Sequence, residues 1–158
     1  MVHAANKHGV PLGILYAIGL TETGRGRKLQ PYALNIDGRS NYAVDLQNAL
    51  RRFWDARRSG AKYIDVGCMQ INYYYHSTYF RSIDEMFDPR KNVDYAAGFL
   101  GRLKAQTGTW TQAVGRYHAG SANVESQTKY VCKVVANMIA SGFGGWTASA
   151  RALCRKWQ

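Results

Sequence analysis

From Pro11 to Leu20 the chain reads Pro-Leu-Gly-Ile-Leu-Tyr-Ala-Ile-Gly-Leu, apolar on almost every side, and it then meets Glu22. A helix with no polar face belongs in an interior, and this run is too short to cross a bilayer. The rest of the chain must therefore gather around it. Pro11 is a favoured first-turn residue, so the helix is predicted from Pro11 to Gly24. With 158 residues, 46% of them hydrophobic, the chain can bury one core and is too short for two ordinary domains. A single domain over residues 1–158, soluble and without a membrane span, is the expectation.

The remaining pattern is mostly helical. Tyr32–Ile36 and Asn41–Val44 flank Asp37-Gly38-Arg39-Ser40 and read as one small hairpin. A helix follows Asp45, with Leu46, Ala49, Leu50, Phe53 and Trp54 on its buried face, its arginines in water and its end at Gly60. A third helix is predicted near Gly67, with Asp65 as its cap. A fourth follows Asn92 and places Val93, Ala96, Ala97, Leu100 and Leu103 on one side before Gly108. Thr109 and Gln112 form a capping-box pattern for a fifth helix that ends around Gly120. The sixth carries Val131, Val134, Val135 and Met138 to Gly142. The fold class expected is mainly α, about six helices with one small β-hairpin.

The excess of 21 Lys and Arg over 10 Asp and Glu, a formal charge of +11, draws the chain toward a polyanion. Arg51, Arg52, Arg57 and Arg58 are the densest group. No zinc-finger, RNP or helix-turn-helix pattern accompanies them, so a solvated basic face is expected rather than a nucleic-acid site. Cys68, Cys132 and Cys154 allow at most one intrachain disulfide. In an exported protein Cys132–Cys154 is the expected bridge, tying the tail to the last long helix; three buried thiols are the alternative. No CxxC pair occurs and histidines are few, so no metal site and no organic cofactor are expected. Met1-Val2-His3-Ala4 has neither a basic leader nor a small-residue cleavage site, and any signal peptide is expected to have been removed.

Glu22 is the first candidate for chemistry. A carboxyl group closing an apolar helix is desolvated, which raises its pKa and suits a general acid. A helix C-terminus also disfavours negative charge, so a Glu without a purpose is less expected there. The bland alternative is a carboxylate at a fraying helix end. Two further polar clusters sit among small or aromatic residues: Gly67-Cys68-Met69-Gln70-Ile71-Asn72 and Tyr117-His118-Ala119-Gly120. Gln70 and Asn72 both donate and accept hydrogen bonds, as sugar hydroxyls and N-acetyl groups require. Tyr73, Tyr74, Tyr75 and Tyr79 offer rings for sugar faces, although aromatics at such spacings more often fill a core.

In their order these segments resemble the family 1 lytic transglycosylases, which carry the soluble-lytic-transglycosylase (SLT) domain. That family has Glu-Ser at the end of a buried helix, then Gly-Leu-Met-Gln, Tyr-Asn-Ala-Gly and Glu-Thr-x-x-Tyr-Val. Here the chain reads Glu22-Thr23, Gly67-Cys68-Met69-Gln70, Tyr117-His118-Ala119-Gly120 and Gln127-Thr128-Lys129-Tyr130-Val131, over roughly positions 10 to 140.

The resemblance implies a lysozyme-like α+β fold with a substrate cleft between its lobes. It also implies peptidoglycan as substrate. Glu22 would be the catalytic acid, cleaving between N-acetylmuramic acid and N-acetylglucosamine with release of a 1,6-anhydro-muramoyl end. Thr23, Met69, Gln70, Asn72, Tyr117, His118, Ala119, Gly120 and Tyr130 would bind or frame the substrate, Tyr130 by holding Glu22. Asn35 or Tyr32 of the hairpin is expected to border the cleft. A periplasmic or secreted monomer, working on the wall alone or within a flagellar or secretion assembly, is the corresponding expectation.

Thr23 for Ser is a mild departure that keeps the hydroxyl on a stiffer rotamer. Cys68 for Leu is a packing change, while His118 for Asn brings a titrating group and a pH dependence near neutrality. Ordinary glycosidases pair two carboxylates. Asp37, Asp45 and Asp65 are the candidates, and each already has a turn or capping role by sequence. A hydrolase using Glu22 with Asp37 is one alternative, and a weakly catalytic wall-binding or assembly module is another.

Overall fold

In the computed structural model all residues are described except Arg27, Ser121 and Gln158. It is 65% helical, with one small antiparallel sheet, a mainly α fold of the lysozyme-like kind. In chain order the elements are α1 Val2–His8, α2 Leu12–Thr23, β1 Ala33–Ile36, β2 Arg39–Tyr42, α3 Leu46–Arg58, β3 Ile64–Val66, β4 Ile71–Asn72 and α4 Tyr73–His76. They continue as α5 Ile83–Phe87, α6 Pro89–Thr107, α7 Trp110–Ala119, α8 Val124–Ala140 and α9 Ala148–Cys154. The chain divides into two compact units, one of Met1–Thr21 with Ala97–Gln158 and one of Glu22–Ala96.

In the first unit α2 behaves as its composition demands: no residue from Leu12 to Thr21 is exposed. Thr109 caps α7, its hydroxyl accepting from Gln112 N at 3.2 Å and donating to Gln112 Oε1 at 3.2 Å. Helices α7 and α8 pack closely, and a Cβ on Gly115 would meet Gln127 Cβ at 2.9 Å. The expected disulfide is formed between Cys132 and Cys154. It fastens α9, an element not anticipated from sequence, to α8, and Glu125 pairs with Lys156 at 2.9 Å across the same junction. Closing a loop with a sequence separation of 22 restricts the unfolded chain and is worth about 3 kcal/mol. Reduction, or Cys154→Ser, is therefore expected to lower the melting temperature by about 10 °C in a thermal melt; an unchanged midpoint would show the bridge to be dispensable.

The second unit holds the sheet, ordered β2-β1-β3-β4. Asp37 and Gly38, with φ of 46° and 86°, make a two-residue turn of the kind that suits strand twist. The register pairs Ile36 with Arg39, so β2 opens two positions earlier than the sequence reading placed it. Leu34, Ile64, Val66 and Ile71 are buried on one face. Asn35, Asp65 and Asn72 form a row on the other, because Asp65 pairs with both Asn35 and Asn72 and side chains alternate across a strand.

Four sequence expectations are corrected in this unit. No helix begins at Gly67: residues 67–70 are the turn joining β3 to β4, with Gly67 at φ 78° and Gln70 at φ 48°, values no α-helix accepts. Asp65 consequently caps nothing and sits within β3. The α6 helix starts at Pro89 rather than after Asn92, since Asp88 caps it by accepting from Arg90 N and Lys91 N. Asn92 is fully buried inside it. On α3, capped by Asp45, Ala49 and Phe53 are buried, whereas Trp54 is 45% exposed and lies edge-on to Phe53 at 5.1 Å.

Candidate active site

In the second unit, Glu22 is half-buried at the end of α2. Its neighbour Thr23 is buried, and the Thr23 hydroxyl donates to Cys68 O at 2.9 Å. That bond ties the end of α2 to the Gly67–Gln70 turn. The turn is held from its other side by Asn92, whose Oδ1 accepts from Met69 N at 2.9 Å and whose Nδ2 donates to Val66 O at 2.9 Å. Gly67 has to be glycine here, because its φ is positive and a Cβ would come within 2.5 Å of Asn92 Nδ2. Gln70 adopts the left-handed region without being glycine, an outlier of the type that collects at functional sites. Its Nε2 donates to Gly67 O at 2.9 Å and to Ala33 O at 3.4 Å.

Met69 is fully buried, so its backbone and not its side chain is what the turn can present. Cys68 is buried too, and burial pushes its thiol pKa up to about 11, the property of a packing group rather than a nucleophile. Asn72 donates to Asp65 Oδ1 at 2.7 Å and accepts from Tyr74 N, capping α4. Asn35 is half-buried beside Asp65 in the sheet row. Burial raises the Asp65 carboxyl above its usual range, and the Asn72 hydrogen bond only partly opposes this. A partly desolvated carboxyl in a row of amides is a functional-site signature, whereas by sequence Asp65 is one of three candidate second carboxylates and has a capping role. Asp37, by contrast, is an exposed turn residue, and Asp45 is a helix cap.

The first unit brings the other sequence-derived residues together at the C-terminal end of α7 and the start of α8. His118 lies parallel to the Tyr130 ring at 4.4 Å, and Tyr130 itself is buried. Tyr117 packs on Phe99 at 5.7 Å. The Ala119-Gly120 turn is clamped by Gln127, whose Nε2 donates to Gly120 O at 2.6 Å. His118 is open at its edge with one face covered; that covering, helped by the Lys133 charge, lowers its pKa.

The family model described as "Transglycosylase SLT domain" matches residues 1–137. The chain belongs to this family. Neither the curated proteins nor the solved structures compared with the SLT domain gave a match. Peptidoglycan is the polymer on which this family acts. Among the described residues of the SLT domain, no His, Cys, Asp and Glu cluster could hold a metal ion and no helix is long and apolar enough to cross a membrane.

Proposed function

We propose that this SLT domain, residues 1–158, is a lytic transglycosylase that cuts peptidoglycan between N-acetylmuramic acid and N-acetylglucosamine with Glu22 as acid and then base. The reading is carried by one observation: Glu22 ends an unexposed apolar helix, and the next residue is hydrogen-bonded into the Gly67–Gln70 turn. Protonated Glu22 gives its proton to the bridging oxygen as the bond to the muramoyl C1 breaks. The resulting carboxylate takes the proton of the muramoyl 6-hydroxyl, whose oxygen closes on C1. One 1,6-anhydro end and one free 4-hydroxyl result, and Glu22 is protonated again.

The remaining residues take their roles from the family resemblance. Thr23 braces the turn from within. Gln70, with the backbone around Met69, would face the N-acetyl substituents, and Asn35 and Asn72 of the sheet row would extend that surface. Tyr130, stacked by His118, and Tyr117, Ala119 and Gly120 are the residues of the first unit that the family resemblance assigns to the substrate. The substrate places the enzyme in the periplasm or outside the cell, acting as a monomer on glycan strands, alone or beside an envelope assembly such as a flagellar or secretion machine.

Mass spectrometry of fragments released from purified peptidoglycan tests the reaction type. Anhydro-muramoyl ends are expected, and reducing ends would make the enzyme a hydrolase. The raised carboxyl of Asp65 favours that second reading over one based on Asp37, because Asp65 is the partly buried acid on the sheet. Asp65→Asn separates the two. Burial disfavours the charged form, so the native pKa lies above the unfolded one. The stability tied to this group is thus complete below the unfolded pKa and is lost as pH rises through the folded value. Asp65→Asn is expected to raise the melting temperature at pH 7, with the gain vanishing toward pH 3. A transglycosylase keeps anhydro products in the variant, whereas a hydrolase loses its product altogether.

A further inference from the structure

The most exposed aromatic surface of the second unit is not used by any step above. Tyr63, Tyr74, Tyr75 and Tyr79 are all exposed. Tyr63 and Tyr75 are nearly stacked, with centroids 5.9 Å apart and planes at 26°. Tyr74 stands edge-on to both, at 5.3 Å from Tyr63 and 4.9 Å from Tyr75. The Lys62 ammonium rests 4.4 Å from the Tyr74 centroid and 5.3 Å from that of Tyr63. The Tyr74 hydroxyl, then the negative character of Tyr63 and Tyr74, raises its pKa.

The position of this cluster follows from chain order. Tyr63 precedes β3 by one residue and continues its ladder, its carbonyl accepting from Asp37 N at 3.2 Å. It therefore falls on the same face as Asp65, two residues along, or about 7 Å at the rise of a strand. Tyr74 and Tyr75 follow β4 directly, next to Asn72. The rings are thus an extension of the Asn35, Asp65 and Asn72 row, beyond the end of the β3–β4 pair that is remote from the Gly67–Gln70 turn.

We propose that Lys62, Tyr63, Tyr74 and Tyr75 form an accessory binding platform for the glycan strand of peptidoglycan, away from the bond that is cut. This rests on the substrate class of the proposed function. Exposed rings carrying hydroxyls match a sugar, whose axial C–H groups stack on an aromatic and whose hydroxyls bond at its edge. Lys62 supplies the counter-charge for the lactyl or peptide-stem carboxylates of the same strand. A protein partner fits less well, since the core of a protein interface is depleted of charge and Lys62 sits within this cluster. The exposed residues from Lys62 to Tyr79 include no aliphatic side chain; the neighbouring Ile64, Val66 and Ile71 are all buried.

The test is co-sedimentation with purified, insoluble peptidoglycan, using the whole domain with Glu22→Gln so that the polymer survives. Tyr74→Ala/Tyr75→Ala is expected to weaken binding about tenfold, as two lost ring faces require, whereas Tyr74→Phe/Tyr75→Phe retains most of it. Lys62→Gln is expected to weaken binding to native polymer and to have no effect on polymer whose carboxylates are amidated. Unchanged binding by the alanine pair, with an unaltered thermal melt, overturns the platform and assigns this surface to another partner. Unaltered Lys62 dependence on amidated polymer removes the role of Lys62. The cleavage reading fails separately: it falls if the unsubstituted enzyme releases no fragments, even where binding depends on the tyrosines.

Discussion

Glu22→Gln is expected to lower the rate of fragment release by about a thousandfold. One proton-transferring group contributes about 10²–10⁴-fold, and here the same carboxyl serves both the bond-breaking and the ring-closing step. Glutamine keeps the shape and one oxygen acceptor but holds no transferable proton. Folding is expected to survive. Glu22 is only half-buried and lies at the C-terminal end of α2, where the helix dipole opposes a negative charge. A neutral amide there leaves the melting temperature equal or slightly higher. Initial rates of soluble fragment release, measured beside a thermal melt, decide the matter: activity within tenfold of the unsubstituted enzyme would remove Glu22 from the role of acid.

The elements legible in the sequence were those with long periodic faces or explicit caps. α2 was visible because nothing polar interrupts it, and α7 because Thr109 and Gln112 announce its start. β3 and β4 were not visible. Ile64–Val66 and Ile71–Asn72 are too short to display an alternation, and the polar residues between them resembled the start of a helix. Reading a helix there gives Asp65, a candidate second carboxylate, a capping role, whereas its surroundings come from its cross-strand neighbours Asn35 and Asn72.

The candidate site divides the same way. Glu22 and the segments around Gln70 and Tyr117 are proposed from motif order, which is local. Their supports are not local. The Tyr130–His118 stack depends on how α7 meets α8, and the partners of Asn92 are 6 to 26 residues away. By sequence Asn92 looked like a helix cap because asparagine favours caps. Asp88 occupies that role instead, which frees the Asn92 side chain to face inward.

Asn92→Ala is accordingly expected to be among the most destabilising single changes in the molecule. The side chain has no solvent exposure and accepts from Met69 N and Cys68 Sγ while donating to Val66 O and Met86 O. Alanine withdraws all four partners at once. Loss of a buried network of this kind costs about 3–5 kcal/mol, a fall of about 10 °C in melting temperature for a chain of this size. Gly67→Ala attacks the same contact from the other side, since its Cβ would lie 2.5 Å from Nδ2. Removing Asn92 relieves that clash, so the double variant is expected to be less destabilised than the sum of the two single changes; strict additivity would show that Asn92 does not hold the turn. Asn92→Asp sharpens the point, because it places a carboxylate oxygen against two carbonyl acceptors. Burial raises the pKa of that acid, so stability is present at low pH, where its proton can serve one carbonyl, and is lost as pH rises. Fragment release should fall in all these variants in proportion to the loss of the Gly67–Gln70 turn, even where Glu22 itself is intact.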